Sequence, residues 1–168
     1  MTPSSHHKHA APKEVRVFVL TVSDTRTEEN DVGGQTCCQW IERFNHRVVG
    51  KAIVADEPAQ VRQHLERIAA DESADVVVST GGTGISRRDS TYEAIASLLE
   101  KKLDGFGELF GALSYAEIGS AAMLSRAVGG LYRGVVVFAV PGSPGAVRLA
   151  MEKLIGPELG HLTFEARR

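Results

Sequence analysis

Three short runs of apolar residues constrain this chain more than anything else in it. Val15–Val22, Val76–Val78 and Val135–Val140 are apolar at successive positions, with few polar interruptions. Side chains alternate between the two faces of a strand, so such runs are apolar on both faces and need cover on both. That is the signature of buried strands in a parallel sheet. A fourth strand is expected within Arg47–Ala55, from Val48, Val49, Ile53 and Val54. Between the strands, apolar residues return at helical spacing: Cys37, Trp40, Ile41 and Phe44, then Val61, Leu65 and Ile68, then Tyr92, Ile95, Leu98 and Leu99. Strands alternating with helices predict an α/β fold, a mainly parallel sheet with helices on both faces.

Turn residues punctuate this pattern. Thr27–Gly34 reads as a loop, and Asp56-Glu57-Pro58 as a helix start. Leu103–Ser125 looks irregular: Gly105-Phe-Gly107-Glu108 breaks it, a short helical pattern runs through Leu109, Phe110 and Leu113, and Ile118–Leu124 suggests another short helix. Ser125-Arg126 and Gly129-Gly130 close that region. After the last strand, Ser143 is suited to cap a helix with Pro144 in its first turn. Val147, Ala150, Met151 and Leu154 line that helix, and Gly156-Pro157 is expected to stop it. Residues 1–13 are a polar tail, and 14–168 form a single domain. The tail's His6, His7 and His9 suit only adventitious metal binding.

Composition excludes several classes. A net charge of −2 argues against broad affinity for nucleic acid. No apolar run approaches the roughly 20 residues that span a bilayer, and the first residues lack the apolar core of a secretory signal. Cys37 and Cys38 are adjacent, too close for an unstrained disulfide, and read as reduced packing residues of a cytoplasmic protein. His46, His64 and His161 sit in contexts that offer no nucleophile and base, which disfavours covalent catalysis.

In a parallel sheet, ligands bind beyond the carboxyl ends of the strands. Four strand ends here carry small or acidic residues: Ser23 and Asp24, Asp56, the loop Thr80-Gly81-Gly82-Thr83-Gly84 with Asp89, and Pro141-Gly142-Ser143-Pro144. Glycine lets a ligand approach the backbone closely. Arg87, Arg88 and loop N–H groups suit phosphate oxygens, and Ser90-x-x-Glu93 has the form of a capping box opening a helix. The loop matches neither common phosphate motif: no lysine follows it, and Arg87 stands where a third glycine would fall. Carboxylates beside phosphates make sense with a divalent cation between them, and Mg²⁺ usually takes one or two carboxylates plus phosphates and water. Each acid also has a local role open to it: Asp56 as a cap of the helix at Pro58, Asp89 as acceptor for loop amides, Asp24 as a partner for Arg26. Ser114 is equally suited to be a helix-surface hydroxyl.

The ordered segments Leu20-Thr-Val-Ser-Asp24-Thr-Arg, Val54-Ala-Asp56-Glu-Pro, Thr80–Gly84 with Arg88-Asp89, Gly105-Phe-Gly-Glu108, Leu124-Ser-Arg126 and Val140-Pro-Gly-Ser-Pro144 resemble the MoaB/Mog family of molybdenum cofactor biosynthesis proteins. The resemblance spans about residues 14 to 160. It implies a three-layer sandwich around a mixed, mostly parallel sheet, and a homo-oligomer, trimer or hexamer. Active members of the family adenylylate molybdopterin with Mg-ATP: the pterin's terminal phosphate attacks the α-phosphorus and pyrophosphate leaves. Carried over, Asp56 and Asp89 are the two catalytic carboxylates, serving as Mg²⁺ ligands and charge stabilisers rather than in proton abstraction. Thr80, Gly81, Gly82, Thr83 and Gly84 cradle the nucleotide phosphates. Ser23, Asp24, Ser114, Pro141, Gly142 and Ser143 line the pterin site. Glu28-Glu-Asn-Asp31 and Leu113–Gly119 resemble the MoaB branch, some of whose members lack the first acid and do not adenylylate; Asp56 is present here. Ser143 replaces an asparagine common in other members. The resemblance implies hand-over of the product to a molybdate-insertion protein. The alternative it leaves is a non-catalytic molybdopterin carrier.

Overall fold

The computed structural model describes residues 10–168; the tail histidines His6, His7 and His9 lie outside them. Six strands form one sheet: β1 (Arg16–Val22), β2 (Arg47–Val54), β3 (Val76–Thr80), β4 (Lys101–Lys102), β5 (Val128–Tyr132) and β6 (Val135–Val140), in the order β2-β1-β3-β6-β5-β4. β2, β1, β3 and β6 run parallel. β5 and β4 complete the sheet antiparallel, so the sheet is mixed and mostly parallel, as the resemblance implied.

The alternation of side chains divides the core in two. Val17, Val19, Val76, Val78, Val136 and Phe138 face one way. They are covered by α1 (Val32–Arg43), α4 (Asp104–Ile118) and the C-terminal helix, which begins as α5 (Pro144–Ala150) and ends as α6 (Gly156–Ala166). Leu20, Val22, Val77, Val137 and Ala139 face the other way, beneath α2 (Pro58–Asp71) and α3 (Thr91–Leu98). β3 and β6 are buried at every position, which is why their sequences show no alternation.

Four expectations are overturned. Thr27–Gly34 is not wholly loop: Asp31 caps α1 by accepting from Gly34 N–H at 3.0 Å, and Gly33 and Gly34 are helical and buried. Leu103–Ser125 is not broken at Gly105 and Gly107. α4 runs through both, anchored by Phe106 and Phe110 one turn apart, and ends in a 3₁₀ turn over Gly119–Leu124. Gly129-Gly130 is not a closing turn but part of β5. A methyl on Gly129 would lie 2.5 Å from the Phe138 ring, and one on Gly130 2.2 Å from the Lys101 carbonyl oxygen; these glycines serve close packing within a strand. Gly156-Pro157 does not stop the last helix. A π-helical segment, Met151–Ile155, widens the helix before Pro157, whose missing N–H then falls in the first turn of α6.

Cys37 is buried and Cys38 half-buried, and both are free thiols. Burial pushes the Cys37 thiol far up, so it stays protonated and packs as an apolar group. Among the described residues no helix is long and apolar enough to cross a membrane.

Candidate functional site

The carboxyl ends of β1, β3 and β6 meet without side chains between them. A methyl on Gly33 would lie 2.5 Å from Gly142 O, and one on Gly81 2.2 Å from Val22 O. Gly81 and Gly82 have φ of +93° and +70°, a region glycine enters without strain. The close approach leaves a cleft of about 560 Å³. Ser23, Thr80, Gly81, Gly142 and Ser143, all expected at the site, line it, together with Thr21, Arg26, Asp31 and Gly33, which were not expected there. Its floor is a chain of hydroxyls: Thr80 donates to Thr21 at 3.4 Å, and Thr21 donates to the buried Asp31 at 2.6 Å. Ser143 caps α5, accepting from Ala146 N–H at 3.2 Å. Ser114 is buried on α4 and lines a smaller cavity of about 130 Å³ that shares Ser143 with the cleft. Pro141 and Asp24 do not line the cleft.

Beside the cleft, the glycine loop is pinned through its carbonyls. Gly82 O accepts from Thr91 N–H at 3.0 Å and Tyr92 N–H at 3.3 Å. Thr83 O and Gly84 O accept from Arg126 at 2.9 and 2.7 Å. A trans peptide points its N–H opposite its carbonyl. The N–H groups of Thr83, Gly84 and Ile85 are therefore turned away from these anchors, and none of them donates a hydrogen bond among the described residues. Successive unpaired N–H groups suit an anion, as in a backbone nest.

At the N-terminus of α3 the Thr91 and Tyr92 N–H groups go to Gly82 O and the Ser90 N–H goes to Asp56, and the expected capping box does not form. Ser90 donates its hydroxyl to Asp56 at 2.7 Å, and Glu93 pairs with Arg126.

Asp56 and Asp89 both press on this loop. Asp56 is 6% exposed, and its Oδ1 accepts from Ser90 N–H, Ser90 O–H and Thr91 O–H at 3.1, 2.7 and 3.2 Å. It thus serves the start of α3, not the helix at Pro58, where Glu57 holds the cap position. Its Oδ2 lies against Gly82, 2.7 Å from where a methyl would sit. Asp89 Oδ2 accepts from Ser86 N–H and O–H at 3.0 and 2.6 Å and lies against Gly84. Each carboxylate therefore has one oxygen fixed by the protein and one that accepts no hydrogen bond among the described residues.

Asp24 pairs with Arg88, not Arg26. Arg88 grips Asp24 through both oxygens at 2.9 Å and reaches Glu57 at 2.8 Å. The Arg88 hydrogen bonds, with the Asp56 N–H, hold the Asp24 carboxyl below the usual carboxylate range. Arg88 is thus committed to two carboxylates and is not free for phosphate. Arg87 is exposed and makes no ion pair among the described residues.

The donor set suits a hard divalent cation held partly by its ligand. Among the described residues no three His, Cys, Asp or Glu side chains cluster tightly enough to hold a metal by themselves. Two carboxylates with one uncommitted oxygen each match the one or two that Mg²⁺ takes when phosphates and water complete its shell.

The family model described as a probable molybdopterin binding domain matches residues 18–161. The chain is 53% identical over 165 residues to molybdenum cofactor biosynthesis protein B of Bacillus cereus, covering 98% of each. To the Bacillus subtilis protein of the same name it is 48% identical, covering 96% of each. A crystal structure of a molybdenum cofactor biosynthesis protein B superposes with a TM-score of 0.90 at 53% identity, over 94% of this chain and 99% of that one. The tungsten cofactor synthesizing protein MoaB from Pyrococcus furiosus superposes at 0.83 and 41% identity, over 94% and 100%.

Proposed function

This chain belongs to the MoaB/Mog family of molybdenum cofactor biosynthesis proteins, and from that premise and the geometry of its rim we propose that it adenylylates molybdopterin. The reaction joins a terminal phosphate oxygen of molybdopterin to the α-phosphorus of ATP. The bond from that phosphorus to the bridging oxygen breaks, and pyrophosphate leaves.

One observation carries this reading: the three unpaired N–H groups of Thr83, Gly84 and Ile85 are flanked by two carboxylates, each with an uncommitted oxygen. N–H groups alone suit any anion. The carboxylates repel a bare anion and suit a phosphate that arrives with a cation. In the proposed complex the nest holds phosphate oxygens of the nucleotide, and Asp56 and Asp89 hold Mg²⁺. When bound, the cation neutralises charge that develops on the leaving pyrophosphate. The 560 Å³ cleft takes the pterin, with Ser23, Gly142 and Ser143 along its wall and Ser114 behind Ser143. Asp24 acts on this site through Arg88 and through the Asp56 N–H. Asp56 is asked to hold the cation, and no proton abstraction is assigned to it.

The chain is proposed to work in the cytoplasm as a trimer or hexamer and to hand its product to a molybdate-insertion protein. Self-association is supported by apolar side chains on α4 and the following 3₁₀ turn that are more than half exposed in the single chain: Leu109, Tyr115, Ile118, Met123 and Leu124. Light scattering on the purified protein reads the oligomer directly. The reaction is tested by molybdopterin-dependent pyrophosphate release from Mg-ATP. Release that persists unchanged in Asp89→Asn contradicts the assignment of Asp89. Pterin binding with no release, insensitive to Asp56→Ala, is the result a carrier gives.

A further inference from the structure

Arg126 stands just before β5, more than 40 residues from the glycine loop it touches. Every side of its guanidinium is used. Nε donates to Thr83 O at 2.9 Å, Nη2 to Gly84 O at 2.7 Å, and Nη1 to Glu93 in the first turn of α3. The Tyr92 ring lies 4.5 Å from its central carbon. Glu93 and Tyr92 hold the guanidinium, and the guanidinium holds two successive peptides of the loop.

The consequence falls on the opposite side of those peptides. With the Thr83 and Gly84 carbonyls fixed, the Gly84 and Ile85 N–H groups are fixed too. Left to itself, a loop containing Gly82 and Gly84 would sample many backbone states. A planar fork suits two adjacent carbonyl oxygens; an ammonium presents a single point charge.

We propose that Arg126 is the positioning residue that presets the glycine loop as a phosphate-binding nest. It holds the loop in its binding geometry before any ligand arrives, and does so without touching the phosphate. The proposal rests on the nucleotide reading above and goes beyond it in naming what organises the nest.

The test uses the full chain as wild type, Arg126→Ala and Arg126→Lys, with inorganic pyrophosphate and Mg-ATP as calorimetric probes. Lysine keeps a cation beside Glu93 and Tyr92 but not the two-carbonyl clamp, so it covers the case in which the alanine variant folds poorly. Both variants are expected to bind pyrophosphate about 10- to 100-fold more weakly, the size of one lost charge-assisted hydrogen bond. Hydrogen exchange at Gly84 and Ile85 in the ligand-free protein is expected to quicken in both. Added guanidinium at non-denaturing concentration is expected to restore binding to the alanine variant, which a general loss of stability would not allow. A wild type that binds pyrophosphate, with variants that bind it equally well and exchange no faster, overturns the role of Arg126 alone. A wild type that binds neither probe overturns the nucleotide reading and this proposal with it.

Discussion

Replacing Asp56 in two ways separates its place in the fold from its place in the chemistry. Asp56→Ala removes the acceptor for three donors at the start of α3. Thr91 is fully buried, so water does not replace its lost partner; Ser90 is half-buried, and there water partly does. A hydrogen bond to a charged group contributes about 1.5–3 kcal/mol, and an orphaned buried donor costs about 1–3 kcal/mol. Discounting the Ser90 bonds for solvent, Asp56→Ala should lose about 2–4 kcal/mol, more than the ~1 kcal/mol typical of a helix cap. Asp56→Asn keeps an oxygen where Oδ1 stands, so the same donors keep a neutral acceptor, and the cost should stay below about 1.5 kcal/mol. At the Oδ2 position asparagine presents an NH₂ donor beside Gly82, where the proposed cation would bind. Both variants should therefore lose AMP transfer, while only alanine loses much stability. Urea unfolding midpoints and transfer rates on the same preparations make the comparison. Equal destabilisation by Asn and Ala, or near-normal transfer by Asn, would refute the division of labour between the two oxygens.

Other perturbations probe the surroundings of the site. Gly82→Ala should cost more than about 1 kcal/mol and depress transfer, because its methyl would lie 2.2 Å from Thr91 Oγ1 and 2.7 Å from Asp56 Oδ2 at a φ of +70°; thermal unfolding and transfer assays read both. His46 accepts from Val15 N–H at 3.1 Å through Nδ1, and burial lowers its pKa despite nearby Glu14. The fold favours neutral His46, so its contribution is present above the unfolded value near ~6.5 and lost as pH falls through the folded value; the slope of stability against pH below 6.5 should flatten in His46→Asn. Burial raises the Asp75 pKa, but hydrogen bonds from Arg16 and Arg167 more than offset this and leave it below the usual range. Its contribution is present above about 3.9 and lost as pH falls through the folded value. Removing one cation in Arg167→Ala should start the acid transition at a higher pH in a melting series.

What was legible in the sequence was what neighbouring residues decide. β3 and β6 declare themselves by apolar runs, and the stripe Val61, Leu65 and Ile68 by its period; all three of those side chains are buried. Knowing the strands placed Ser23, Thr80, Gly81, Gly142 and Ser143 on one rim, because parallel strands deliver their carboxyl ends to the same edge. Glycine misled where it sits inside a regular element. Gly105 and Gly107 lie inside α4, and Gly129-Gly130 inside β5, where they admit the Phe138 ring and the Lys101 backbone. Partners across the fold were out of reach. Nothing near Asp56 announces Ser90, and nothing near Arg126 announces Thr83. Asp31 had a local signal, an aspartate three residues before Gly34 and just ahead of the helical pattern, which suits an N-cap.

Adenylyl transfer is read by mixing the purified wild-type protein with molybdopterin, ATP and Mg²⁺ and quantifying adenylylated pterin. Product and pyrophosphate are expected in equal amounts, abolished when Asp56 is replaced by asparagine although the variant stays folded. Pterin bound in the cleft with no adenylylated product from the wild type would contradict the proposed transfer, and would leave a carrier in place of an enzyme.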